Sequence, residues 1–440
     1  MSAVAFSHQH PAAALARLDA GRSRIFTQAG LGTFLVGVAS GIPIQAVGRL
    51  FIGELFLIAL APVVVLLLLG LSGQYGKTAR MLLAAMAVSW LGYLLSDLVR
   101  GTPSSDYVRG WSRWIAMGAS FATLAWLGSK NLSLVLSFLV GLSVGACATP
   151  FIAGGFLGPV FYWKFYASGA VCTVALIAVR RFSPWVSVAT LIGLAMTSIV
   201  LDTRSVALLC MVAAGVSALA ARRSAGGRSL ATPVSKTSMI AAGVLVAFLL
   251  VAAIYVIQYF GDRYGYSKRF RNSNATRLAS ATVAWSAVKE SPIIGYGSWP
   301  RDPELARQRD KLVVKAKGVP TLRGASQEDL IIAHSQILQG WLEGGLLGLA
   351  FFLLLSWHIA RVLLWQAFVS PYMAVTPILT FIVTQCAWHL LFSPFSGAQR
   401  LGIPAACVFI CYANEKIREL KAVQVASRAA MVYPGWQPAV

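Results

Sequence analysis

Charge is scarce in this chain of 440 residues: Asp, Glu, Lys and Arg together make up 12%, about half the share of an ordinary soluble domain. Acidic residues are scarcer still, 15 against 37 Lys and Arg, and the formal net charge is +22. With 57% hydrophobic residues and a mean hydropathy of +0.70, a soluble globular protein is excluded and a membrane protein is expected. No separate basic domain is present to bind nucleic acid, so the excess of cations is better matched to anionic lipid.

Other absences narrow the chemistry. The six cysteines (Cys147, Cys172, Cys210, Cys386, Cys407, Cys411) all lie in apolar stretches, which suits neither a disulfide framework nor a thiolate metal site. There is no Asp-x-Asp pair for a hard cation, no nucleotide-phosphate loop, no Gly-x-Ser-x-Gly elbow and no carboxylate pair with glycosidase logic. No metal or other cofactor is therefore expected. The first 24 residues carry Arg17, Arg22 and Arg24 but no long apolar core, so a retained first span is expected rather than a cleaved signal peptide.

What is abundant is apolar runs of about 20 residues, the length a helix needs to cross some 30 Å of hydrocarbon. Twelve are found, near 25–43, 51–71, 79–98, 111–128, 131–149, 160–179, 183–201, 204–221, 237–258, 337–360, 371–392 and 400–413. An all-α polytopic membrane protein follows. Residues 1–24 form a leader, 25–258 the first nine spans, 259–336 one large extramembrane segment, 337–413 the last three spans and 414–440 a tail. With the N-terminus cytoplasmic, 17 basic residues fall on cytoplasmic segments and six on short outward connections, a bias that places both termini in the cytoplasm.

The large segment has its own punctuation. Asp302-Pro303-Glu304 opens a helix through about Lys315, and Asn274 precedes another that runs to about Glu290. Ser291-Pro292 and Gly295-Tyr296-Gly297 break that pattern. Ser326-x-x-Asp329 predicts a helix start that continues into the tenth span, with a break at Gly344-Gly345.

Arginine on the outward side is the first anomaly. Arg49, Arg100, Arg109, Arg113, Arg204 and Arg400 oppose the topology rule, and an anionic ligand, a phosphate above all, accounts for them. Snorkelling, or pairing with Asp97, Asp106 and Asp202, is the plainer alternative. Arg204, in Asp202-Thr203-Arg204-Ser205, stands where a helix N-terminus adds amides to a guanidinium. His334 is the second anomaly, the one histidine of five at the point where the large segment re-enters the membrane. A neutral imidazole there suits a general base, although a lone histidine is more often a satisfied polar residue.

With these residues in view, the chain resembles the O-antigen ligase and polymerase superfamily of polytopic glycosyltransferases. The resemblance rests on Asp202-Thr203-Arg204-Ser205-Val206-Ala207, then Thr276-Arg277, Trp285 and Ser291-Pro292-Ile293-Ile294-Gly295-Tyr296-Gly297, then Ala333-His334-Ser335, Leu338 and Glu343-Gly344-Gly345-Leu346-Leu347-Gly348, over roughly residues 185–360. The family more often has Asn after the histidine, where this chain has Ser335. The resemblance implies a membrane glycosyltransferase (GT-C-like) fold in the bacterial inner membrane. It also implies transfer of a glycan from undecaprenyl pyrophosphate to the lipid A-core oligosaccharide at the periplasmic face, metal-independent and inverting, by a monomer. Arg204 and Arg277 would hold the pyrophosphate and His334 would act on the acceptor hydroxyl. Arg49, Arg109, Arg113 and Arg400 are second-tier anion-binding candidates. An O-antigen polymerase or a protein O-oligosaccharyltransferase would share the donor. A transporter or flippase, with buried charges such as Lys164, is the alternative from another class.

Overall fold

The structure, a computed structural model, describes residues 27–46, 48–152, 158–225, 267–317, 329–394 and 399–432. Among them it is almost entirely helical, because long apolar runs in hydrocarbon satisfy their backbone only within a helix. The helices are α1 (Gln28–Ala39), α2 (Ile52–Leu69), α3 (Gly73–Arg100), α4 (Ser104–Lys130), α5 (Leu132–Ile152), α6 (Pro159–Val179), α7 (Pro184–Val200) and α8 (Arg204–Ala225). After 226–266 come α9 (Ser267–Glu290), α10 (Pro303–Lys317), α11 (Gln336–Phe368), α12 (Thr376–Phe392) and α13 (Gln399–Val432). Six of them, α2, α3, α5, α6, α8 and α11, are long and apolar enough to cross a membrane, and α1, α7 and α12 are apolar but shorter. Leu66, Leu98 and Trp357 point outward from these helices, an apolar exterior that water would not tolerate over such an area but lipid accepts.

Eleven of the twelve expected runs coincide with helices; the ninth, 237–258, lies outside the described residues, as does the leader 1–24. The connection between the first two expected runs lies in an antiparallel hairpin, β1 (Pro43–Ala46) with β2 (Gly48–Phe51), Ile44 opposite Leu50. Two expected helix boundaries need correction. The last helix does not stop at 413, since α13 continues to Val432. The helix expected from Ser326 does not form over 329–335: α11 begins at Gln336, and the Ser335 hydroxyl caps it by accepting from Leu338 N at 3.4 Å. Ser326 itself lies outside the described residues. In the large segment α9 starts at Ser267, seven residues before Asn274, whereas α10 opens as read, with Asp302 Oδ1 accepting from Glu304 N and Leu305 N at 2.9 and 3.0 Å.

At the centre stands α4, which buries Trp114, Met117, Phe121 and Leu124 and is flanked by α2, α3 and α13. The helices approach closely where glycines repeat. Gly344 and Gly348 of α11 face Tyr93 of α3, and a side chain at Gly92 on α3 would begin 2.6 Å from Gly348 N. This contact brings the foot of α11, and with it the last turn of α3, into one layer with the large segment.

Candidate active site at the loop end of the bundle

Two motifs of the sequence interlock to build this end. Gly345 breaks α11 with φ +60° and ψ −152°, a conformation open only to glycine. The broken helix then exposes backbone groups that pair with the segment 293–297: Tyr296 N donates to Leu342 O at 2.7 Å, Gly297 N to Glu343 O at 3.0 Å and Leu346 N to Ile293 O at 3.1 Å. The Pro292–Gly297 and Glu343–Gly348 stretches are therefore two halves of one joint. Around it, Asp97 at the end of α3 accepts from Ser298 N, Ser298 Oγ at 2.7 Å and Trp111 Nε1 at 2.8 Å. Arg100 donates to Gly295 O at 2.9 Å and Ser291 Oγ at 2.6 Å.

The segment that carries His334 is pinned residue by residue. Arg301 and Leu330 form an antiparallel bridge, Asp302 N donates to Asp329 O and Ile331 N to Pro300 O, each at 2.9 Å. Ala333 N donates to Gln339 Oε1 at 2.8 Å, and Ser335 Oγ to Leu390 O on α12 at 3.0 Å. Leu330, Ile331 and Ala333 are buried while His334 is half-buried, so the imidazole faces out of a fixed backbone. Behind it lies a small apolar core of Val283, Ala284, Val288, Leu305, Ile331 and Leu342, which joins α9, α10 and α11.

That core brings Arg277, on α9, close to His334. Burial pushes the imidazole below its ordinary pKa, and the guanidinium groups of Arg277 and then Arg309 push in the same direction. A neutral imidazole at pH 7 is the result. Arg277 is half-buried, its own pKa lowered by that burial, and among the described residues it has no carboxylate partner.

The other arginines divide by their partners. Arg113, buried in α4, pairs with Glu343 of α11, whose other oxygen accepts from Gln339 Nε2 at 2.8 Å and Trp299 N at 3.4 Å. Arg400, at the start of α13, forks onto Glu54 at 2.8 and 2.9 Å, and Glu54 also accepts from Phe51 N. Each of these two second-tier candidates is thus paired with a buried carboxylate of the protein. Arg109 is 45% exposed and sits 3.9 Å from Asp106. The side chain of Arg49 lies outside the described residues. Arg204, at the first turn of α8, lies 3.4 Å from Asp202, which Lys164 approaches on its other oxygen at 3.8 Å from a π-helical turn of α6. Asp202 adopts φ +52°, the left-handed turn that lets one carboxylate meet both cations. Two cations thus share one acid.

Sequence reasoning missed Arg301 and Arg309. Arg301 spans Asp106 Oδ2 at 2.9 Å and Asp329 Oδ1 at 2.8 Å, tying the start of α4 to the His334 segment. Arg309 is fully buried. Its signal was available, a charge at the centre of the spacing Leu305, Arg309, Val313. Among the described residues no three His, Cys, Asp or Glu side chains converge as metal ligands.

The family model of the O-antigen ligase matches residues 185–353, from the start of α7 into α11. Over these residues the chain is similar to the O-antigen ligases. The match takes in Arg204, Arg277, Arg309 and His334, together with both halves of the glycine joint. No curated protein matches the chain. Six of the described helices are long and apolar enough to cross a membrane, and the matched residues are similar to those of O-antigen ligases.

Proposed function

We propose that the protein is an O-antigen ligase: it transfers a glycan from undecaprenyl pyrophosphate to the lipid A-core oligosaccharide at the periplasmic face of the inner membrane. The observation that carries this reading is Arg277, a half-buried guanidinium with no carboxylate partner among the described residues, beside the neutral imidazole of His334. A buried cation left uncompensated is costly, and a diphosphate would relieve that cost. Arg204 and Lys164, at the end of the bundle where the chain reverses between α7 and α8, supply further positive charge toward the same donor. Arg109, exposed and loosely paired, is a secondary contact for a phosphorylated acceptor, and Arg49 belongs with it.

In this mechanism the isoprenoid lies among the apolar outer faces of the spans, with its diphosphate at the loop end. His334 takes the proton of an acceptor hydroxyl as that oxygen attacks the anomeric carbon from the face opposite the diphosphate. The bond from the anomeric carbon to the phosphate oxygen breaks, the electron pair leaves with the diphosphate, and the anomeric centre inverts. The guanidinium fork stabilises the charge that grows on the leaving group, while general-base help is worth about 10²–10⁴ in rate.

Reconstitution of the full chain with lipid-linked glycan and lipid A-core tests the reading. His334→Ala is expected to leave a folded, nearly inactive protein, and Arg204→Lys and Arg277→Lys to fail because an ammonium lacks the bidentate fork. Full transfer by these variants would sink the assignment, and absence of any glycosidic product from the unaltered protein would favour a transporter. In cells, loss of a ligase leaves core-only lipopolysaccharide; core bearing one repeat unit would point to a polymerase instead.

A further inference from the structure

The amphipathic helix α10 buries Leu305, Ala306 and Val313, Leu305 in the apolar core behind His334, and Arg309 stands in the middle of that buried stripe. An apolar side chain would fill this place at lower cost, since a guanidinium must give up its water to be 1% exposed. What it gains in return is incomplete. Nη1 donates to Leu330 O at 2.6 Å, Nε lies 3.4 Å from Asp310 Oδ1, and Nη2 is buried without a hydrogen-bond partner. Asp310 is itself partly exposed, so its compensation is screened. The contact that is short and fully buried is therefore the one to the Leu330 carbonyl, four residues before His334.

Leu330 sits where the His334 segment bends away from its pairing with residues 300–302. The pairing bonds its neighbours, through Asp329 O and Ile331 N, and the Leu330 carbonyl itself is held by Arg309. Downstream, Ala333 and Ser335 are fixed by Gln339 and by α12. Arg309 thus reaches from α10 to fix the backbone four residues upstream of the imidazole. We propose that Arg309 is a positioning residue for glycosyl transfer: from the buried stripe of α10 it grips the Leu330 carbonyl and sets where His334 presents its ring to the acceptor hydroxyl. This rests on the reading of His334 as the base. The guanidinium also keeps a second positive charge near the ring beside that of Arg277, in the direction that favours the neutral base.

The test uses the full chain in detergent with undecaprenyl-pyrophosphate glycan and lipid A-core, comparing Arg309→Met, Arg309→Lys and His334→Ala. Arg309→Met fills the stripe without the grip and is expected to keep the unaltered melting transition while kcat falls about 10–100-fold and the donor KM stays within about threefold. Arg309→Lys, which retains one donor toward Leu330 O, is expected to recover much of kcat. A merely structural arginine would not split kcat from KM in this way. Unaltered kcat in Arg309→Met overturns the inference, and so does a raised donor KM at constant kcat, which would make Arg309 a phosphate contact. Where Arg309→Met does not fold, Arg309→Lys is read by the same split. A fully active His334→Ala defeats the base assignment itself, whereas an inactive His334→Ala beside a fully active Arg309→Met overturns the Arg309 inference alone.

Discussion

Replacing Gly345 with alanine should unlock the loop end of the bundle without unfolding the spans. At φ +60° and ψ −152° any side chain is strained, by roughly 1–3 kcal/mol. A Cβ built there would also lie 1.9 Å from Ile293 O, so the segment 293–297 has to move away. Moving it gives up the hydrogen bonds of Tyr296, Gly297 and Leu346 across the joint, about 1 kcal/mol each. The local cost is then about 4–6 kcal/mol, comparable with the whole stability of a small domain. The spans keep their lipid and helix contacts, and the loss falls on the joint. Amide hydrogen exchange on purified protein reads this directly: protection at Tyr296, Gly297 and Leu346 should drop by about three orders of magnitude or more, at about 1.4 kcal/mol per tenfold, while amides of α4 stay unchanged. Transfer activity should fall with it, since residues 300–302, next along the chain, hold the His334 segment. Protection in Gly345→Ala equal to that of the unaltered protein would refute the joint.

The partners of the arginines predict opposite phenotypes. Arg400→Met strands the buried Glu54 carboxylate and should lower the melting transition and folded yield, by an amount corresponding to about 3–5 kcal/mol, while Glu54→Leu combined with Arg400→Met should restore both; a lone Arg400→Met as stable as the unaltered protein would contradict a structural pair. Arg277→Met, in contrast, should leave the fold intact and remove transfer. For pH, His334 must be neutral to act and its pKa is lowered by burial and by Arg277 and Arg309. The acid limb of transfer should therefore lie below the ordinary imidazole value of about 6.5, and a limb at or above that value would contradict the depressed base. Purified protein is expected to keep full transfer in EDTA, and a loss that Mg²⁺ restores would refute the metal-free step.

The membrane architecture was legible in the sequence because the signal is a length: a run of about 20 apolar residues has few conformations besides a spanning helix. The caps were partly legible for the same local reason. Asp302-Pro303 starts α10 as its chemistry dictates, and the break at Gly344-Gly345 is real. Where a local pattern had a non-local competitor, it lost. Ser326-x-x-Asp329 has the form of a capping box, yet Asp329–Ile331 are drawn into pairing with Pro300–Asp302, and the helix waits for Ser335.

The division among the arginines shows where sequence reading ends. Arg113 and Arg400 pair with carboxylates 230 and 346 positions away, and nothing near either residue in the chain announces its partner. On a linear chart they look the same as Arg277, a charge beside an apolar pattern. Folding separates them by whether an acid closes the guanidinium fork from within. Fifteen acidic residues cannot neutralise 37 cations, so some arginines must face the solvent, a lipid or a ligand. Two deep positions take acids, because an unpaired charge is costly there: Glu54 and Glu343 are almost completely buried and each meets an arginine. Arg277 is buried only by half and receives none among the described residues. A charge placed at that depth beside a neutral imidazole is tolerable in the resting protein and becomes favourable when an anion arrives, which is the condition a diphosphate leaving group requires.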